Sequence, residues 1–243
     1  MLYADQRVSV PGLAEKFGVT QMTIHRDLDK LQQAGHIRKT WGGAEPAERM
    51  EFEFSFSRRR QTRKKEKEAI ARRALEFVLP GLRIILDTGT TTLELTYLLK
   101  DYSDITVITP SLAVASVLQF SSGVQTILLG GSIRKGSPDL AGLVTESNLE
   151  MFTVDIAFQG ADGIGLDGTL YAEDLRIAKI DQKIRKRASK NYVLADSSKI
   201  GKTALVTNGL VSEVDALITD SGIDGEVKKG FEDMGATVIA LES

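Results

Sequence analysis

Three short polar clusters carry the residue types that hold a small anion. Asp87-Thr88-Gly89-Thr90-Thr91-Thr92 follows the apolar run Ile84-Ile85-Leu86. Gly89 allows close backbone approach and the threonine hydroxyls donate. A helix beginning there would aim its first amides at the ligand. Gly130-Gly131-Ser132, with Arg134 just beyond, reads as a flexible loop with a cationic tip. Asp196-Ser197-Ser198-Lys199 ends in a lysine, a point charge suited to phosphate. Each cluster alone is equally an ordinary capped or glycine turn. Gathered at one edge of one sheet, the three favour a phosphorylated polyol.

A second chemistry lies between Val8 and Leu28, a stretch that reads as a short helix, a tight turn at Gly18 and a second helix opening after Thr20. Leu13, Ala14 and Phe17 fall at helical spacing, Gly18 suits a left-handed turn, and Thr20 can cap a following helix. Ile24, Leu28 and Leu31 form the inward stripe of that second helix. Gln21, Met22, Thr23, His25 and Arg26 sit off the stripe, where base edges and phosphates are met. After Gly35, the stretch His36 to Gly43 suits a basic hairpin with a Gly-Gly turn, so Arg38 and Lys39 would face DNA as a wing. The other reading of these spacings is a plain helical hairpin that touches no DNA.

The elements that must position these groups alternate along the rest of the chain. An amphipathic helix from Lys65 stops at Pro80-Gly81. Short apolar runs then recur near residues 84–86, 105–108, 126–129, 155–158, 192–195, 216–219 and 237–241. Helical patterns separate most of them, at about 111–118, 173–189 and 225–234. Such alternation predicts an α/β domain with a largely parallel sheet, whose ligands sit at the carboxyl ends of strands. The expected organisation is a winged helix-turn-helix over 1–44, a linker over 45–64, and the α/β domain over 65–243. Phe52, Phe54 and Phe56 alternate in the linker and could dock on either domain. Gly163-Ile164-Gly165-Leu166-Asp167-Gly168 matches a dinucleotide fingerprint in form only. No helix is expected after its glycines, and Asp167-Gly168 signals a tight hairpin.

Composition narrows the chemistry. The chain has no cysteine, and both histidines, His25 and His36, lie in the amino-terminal segment. Disulfides and thiolate metal sites are excluded, and the larger segment has no histidine base. Metals and cofactors are therefore not expected. No apolar run approaches the roughly 20 residues of a membrane helix, and a cytoplasmic protein is expected. The net charge of −2 hides an asymmetry: residues 1–65 carry net +5 and residues 66–243 carry net −7. Much of the basic excess is Arg58-Arg59-Arg60 and Arg63-Lys64-Lys65, either a solvated linker face or a contact to the DNA backbone. A single copy would bind DNA weakly, so a homodimer or homotetramer is expected.

The amino-terminal residues resemble the DeoR family of bacterial repressors. Val8-Ser9-Val10, Leu13-Ala14, Phe17-Gly18-Val19-Thr20, Thr23-Ile24-His25-Arg26-Asp27-Leu28 and Gly42-Gly43-Ala44 follow its pattern. Thr20 stands for the turn serine and His25 for an arginine. Only Met1 to Gln6 occupy the place of the family's first helix, so that helix is expected to be shortened or largely missing. From about residue 65 the chain also resembles that family's sugar-phosphate sensor domain, itself similar to ribose-5-phosphate isomerase. The isomerase resemblance implies phosphate-binding roles for Lys67, Gly89-Thr90-Thr91 and Lys199, and a sugar contact at Asp162. Its reaction machinery is depleted here: Gln159, Gly163 and Ala172 to Leu175 replace the reacting groups, and the shorter Asp181 replaces the catalytic glutamate.

These readings converge on a transcriptional regulator, most simply a repressor, that double-stranded operator DNA and a phosphorylated sugar effector bind in turn. The alternative is an isomerase-like enzyme with an amino-terminal appendage, in which Asp162 and Asp181 form the acid–base pair.

Overall fold

The computed structural model describes residues 7–46 and 56–242. The chain divides into two compact units. One holds the described residues up to Gln61 together with Lys135–Ser137; the other holds Thr62–Arg134 and the residues from Pro138 onward. Met1 to Gln6, where the first helix was expected to be shortened or largely missing, lie outside the described residues, as do Phe52 and Phe54.

The first unit opens with a strand, β1 (Val8–Ser9), followed by helices α1 (Val10–Phe17) and α2 (Gln21–Gln33) and the hairpin β2 (Ile37–Thr40) and β3 (Gly43–Pro46). Ser9 caps α1 by accepting from the Gly12 amide at 3.2 Å, and Thr20 caps α2 by accepting from the Thr23 amide at 3.2 Å. Gly18 stops α1 in the left-handed conformation at φ 64°. Val8, Val10, Leu13, Ile24, Leu28, Ile37 and Ala44 form the core. Three expectations need correction. Phe17 and Leu31 are exposed and lie outside the core, which Val8 of β1 and Ile37 and Ala44 of the hairpin complete instead. The wing turn is Trp41-Gly42, since Gly43 already pairs with Thr40 as the first residue of β3. Val8-Ser9 pairs antiparallel with β3 and leads into α1 instead of belonging to it. A helical segment also runs over residues 56–61, so Phe56 and Arg58 to Arg60 lie on a helix, with the Arg59 guanidinium 5.9 Å from the Phe56 ring.

The second unit is built on seven parallel strands in the order β15-β14-β12-β9-β4-β5-β6. They are β4 (Arg83–Leu86), β5 (Ile105–Thr109), β6 (Val124–Leu128), β9 (Val154–Gln159), β12 (Ala188–Leu194), β14 (Ala216–Thr219) and β15 (Val238–Ala240). All seven expected strands are present and parallel. Their apolar runs are continuous because both faces are covered, by α3 (Lys64–Leu75), α4 (Thr90–Leu99), α5 (Leu112–Leu118), α6 (Leu143–Leu149), α7 (Leu175–Arg187) and α8 (Gly225–Asp233). Ile85, Ile108, Ala157, Ile180 and Ile184 pack as one buried cluster; Val193, Leu217, Phe231 and Val238 belong to another. The hairpin β7 (Ser132–Ile133) and β8 (Leu140–Ala141) and helix α6 carried no sequence signal. Gly163–Ile164 (β10) and Thr169–Ala172 (β11) form the expected hairpin, joined by β13 (Val206–Leu210) in a small antiparallel sheet.

Chain order places the switch point of the large sheet between β4 and β9. From β4 the chain winds outward through β5 and β6, then returns to the other side of β4 as β9. The crevice beyond the carboxyl ends of those two strands is where such sheets bind ligands.

Candidate functional site

The crevice is held together by Asp87, the residue after β4. One carboxylate oxygen accepts from the Gly89 amide at 2.8 Å and from the Thr92 hydroxyl at 2.6 Å. The other accepts from the Gly160 amide, just past β9. Burial pushes the Asp87 carboxyl above its ordinary pKa, and these three donors partly offset that push. Asp87 and the fully buried Thr92 therefore spend their polar atoms on the crevice walls. Gly89 and Thr90 remain partly exposed, and Gly89 is the N-cap of α4, whose first amides have no side-chain cap among the described residues. Oriented donors at such a helix start suit an anion. Thr91 is buried on the same first turn.

Lys199 closes a short 3-10 turn after β12, is partly exposed, and has no side-chain bond among the described residues. Lys67 is buried on α3, with its ammonium donating to the Thr62 carbonyl at 2.9 Å. Asp162 follows β9 and accepts from the Glu173 amide at 2.9 Å. Arg134 differs most from expectation. It lies at the end of β7 with its side chain largely covered, and its guanidinium bonds to the buried Asp139 and lies 3.9 Å from Asp174. It is a paired strand-end cation rather than a mobile tip.

Arg63, read in the sequence only as part of a basic cluster on a linker face or at the DNA backbone, instead binds carboxylates at this edge of the sheet. This residue precedes α3 in the left-handed conformation, at φ 53° and ψ 41°. Its guanidinium lies 3.1 Å from Asp220 and 3.4 Å from Asp196, and it donates to the Ser197 hydroxyl at 3.1 Å. Asp220 follows β14 and also accepts from the Ser197 and Gly222 amides. Burial would raise its pKa, but the Ser197 and Gly222 donors and the Arg63 charge hold it below the usual carboxylate range. One signal was available: β4, β12 and β14 all run apolar into an aspartate followed by a small polar residue.

Behind the crevice lies a second buried polar group. Asn208 donates to Asp181 at 2.7 Å, and Gln159 donates to the Asp181 carbonyl at 3.1 Å. Burial, and then the charge of Asp87, push the Asp181 carboxyl well above the ordinary value, against the opposing pull of Arg185 and Asn208. A separate depression of about 330 Å³, lined by Gly81, Asp104, Thr106 and Gln125, lies at the opposite, amino ends of β5 and β6.

In the first unit, Gln21, Met22, Thr23, His25 and Arg26 are exposed on the first turns of α2, opposite buried Ile24 and Leu28. The Thr23 hydroxyl lies 3.0 Å from that of Thr20 and so belongs to the cap. Arg38 bonds to Glu45 across the hairpin at 2.6 Å, and Lys39 bonds to Asp29 of α2 at 2.7 Å. The two wing cations are thus engaged within their own unit.

Comparison with known proteins agrees with this two-part reading. The DeoR-like helix-turn-helix domain matches residues 1–49 and the DeoR C terminal sensor domain matches residues 62–221. A putative aga operon transcriptional repressor of Escherichia coli O157:H7 is 30% identical over 96% of this chain and 88% of its own length. The glycerol-3-phosphate regulon repressor of Escherichia coli K12 is 32% identical over 88% of this chain and 84% of its own. A ribose-5-phosphate isomerase in complex with phospho-erythronic acid aligns at a TM-score of 0.43, with 22% identity over 56% of this chain and 54% of that one. That likeness carries no functional argument; the family matches decide against the alternative of an isomerase using Asp162 and Asp181. The chain belongs to the DeoR family: it is a DNA-binding transcriptional regulator with a small-molecule sensor domain, and not an enzyme.

Proposed function

We propose that the protein represses a carbohydrate-metabolism operon and is released when a phosphorylated sugar or related metabolite enters the crevice between β4 and β9. The observation carrying this reading is the start of α4. Among the described residues no side chain caps its first amides, which sit at the sheet's switch point beside the partly exposed Gly89 and Thr90. Lys199 and Lys67 supply cations, Thr90 and Thr91 hydroxyls, and Asp162 an acceptor for a sugar hydroxyl. Asp87, Thr92 and Arg134 act as supports of that surface. The name of the glycerol-3-phosphate regulon repressor agrees with a polyol-phosphate effector.

Release requires that effector and DNA favour different arrangements of the protein, because coupling needs differential affinity. The DNA surface is the first turns of α2, with Gln21, Met22, His25 and Arg26 reading or orienting, Thr23 beside them, and Arg38 and Lys39 on the wing. We assign two copies or more, acting in the cytoplasm, to match paired half-sites. Among the described residues no helix is long and apolar enough to cross a membrane.

The test is a gel-shift titration of the region upstream of the protein's own gene, with and without a panel of phosphorylated sugars. Thr90→Ala and Lys199→Ala should keep operator binding and lose release. Release preserved in both variants would mean the effector binds elsewhere.

A further inference from the structure

Trp41, the chain's one tryptophan, is fully exposed at the tip of the wing. An indole is among the largest apolar payloads a protein carries, and it is usually well covered. Here it stands on a rigid mount. Trp41 and Gly42 are the two turn residues between paired Thr40 and Gly43. The Val10 amide, at the start of α1, donates to the Gly42 carbonyl at 2.9 Å. Gly43 lies so close to β1 that a Cβ there would fall 2.0 Å from the Val8 carbonyl oxygen. On the other strand, the Lys39 amide donates to Gln32 and its ammonium to Asp29, both on α2. The backbone of the tip is therefore fixed to both helices, and the exposed ring projects from a held turn.

We infer that Trp41 is a nucleic-acid contact: it lies against the deoxyribose walls of the minor groove beside the major-groove half-site read by α2. The inference rests on the DNA-binding reading of α2 given above. An element fixed beside a helix that enters the major groove meets the adjoining backbone and the next groove. Arg38 and Lys39, held by Glu45 and Asp29, bring little net charge to that meeting. What the tip offers is an apolar face and one N–H donor. In the minor groove that donor finds the acceptors of A·T pairs and is opposed by the guanine amino group of G·C pairs. The wing thus adds an A·T preference at the flank of each half-site, at positions α2 does not touch.

The sole tryptophan makes this directly measurable. The full chain is titrated with a duplex spanning its own upstream region, following intrinsic emission, acrylamide quenching and gel shift together. The expected result is a shifted complex whose emission moves to the blue and whose quenching falls. A shifted complex with emission and quenching unchanged overturns the inference. Emission already blue in the free protein, and dependent on protein concentration, overturns it too, because a second copy then covers the ring. Absence of any complex at low salt removes the DNA-binding reading itself, and this inference with it. Trp41→Ala should lower affinity about tenfold, the scale of one aromatic contact to nucleic acid. It should leave the slope of log affinity against log salt unchanged, since no phosphate charge is lost. Trp41→Phe should retain most of the affinity and lose the A·T preference. A changed salt slope in Trp41→Ala, or unaltered affinity, counts against the contact. An unchanged melting curve for Trp41→Ala would separate this role from a structural one.

Discussion

The Gly160 amide donates to the buried carboxylate of Asp87, tying the end of β9 to the end of β4 across the switch point of the sheet. The same carboxylate holds the Gly89 amide and the Thr92 hydroxyl, so one side chain sets the width of the crevice and the position of the first turn of α4. The residue that shapes the site is thus distinct from those that face its ligand.

Asp87→Asn tests that division. An amide group in this place turns two hydrogens toward donors, leaving buried N–H groups unmatched. The sensor unit should lose roughly 1–3 kcal/mol, and its melting temperature should fall by several degrees. Calorimetry of the full chain checks this; an unaltered melting temperature would show that Asp87 is not a structural tie.

Arg63 combines a strained backbone with a role as a cation for two buried carboxylates. Asparagine tolerates the left-handed conformation, whereas alanine does not. Arg63→Asn should therefore be less stable than the parent, and Arg63→Ala less stable again by about 1 kcal/mol. Denaturant melts of the three proteins give the order. Equal stability of the two variants would remove the backbone argument and leave only the ion pairs.

Asp181 gives a pH signature with a definite sign. Its folded-state pKa is raised, chiefly by burial, so the native state keeps this proton to higher pH than the unfolded chain does. The resulting stabilisation is fully present below the ordinary aspartate value, near 3.9, and is lost as pH rises through the raised value. Asp181→Asn should make stability decline less steeply with rising pH, and should gain most over the parent at pH 8. Parallel pH profiles of the two proteins would be inconsistent with a raised Asp181.

On the DNA face, Arg26 and Arg38 should behave differently. Arg26 is exposed on α2, whereas Arg38 is already bonded to Glu45. Arg26→Ala should weaken binding across sequences and reduce the salt slope by about 0.9, the value of one phosphate contact. Arg38→Ala should move the slope less. A larger change at Arg38 would show that Glu45 releases it on binding DNA.

The sequence alone determined the alternation of apolar runs with helical patterns, and with it the seven parallel strands. It also determined the two helices on either side of Gly18, the Thr20 cap and the presence of a hairpin after them, because caps, turn glycines and periodicity act over a few residues. What it left open were matters of long-range placement. Arg63 meets Asp220 over a separation of 157 residues, and Arg134 is drawn to Asp139 by a hairpin no local pattern announced. Phe17 and Leu31 have core-like spacing yet lie exposed, outside a core that Val8 of β1 and Ile37 and Ala44 of the hairpin complete instead. Only tertiary structure decides which of several equally polar side chains at a strand end is spent on its neighbours and which is left to face a ligand. That choice depends on donors and acceptors contributed by distant segments of the chain.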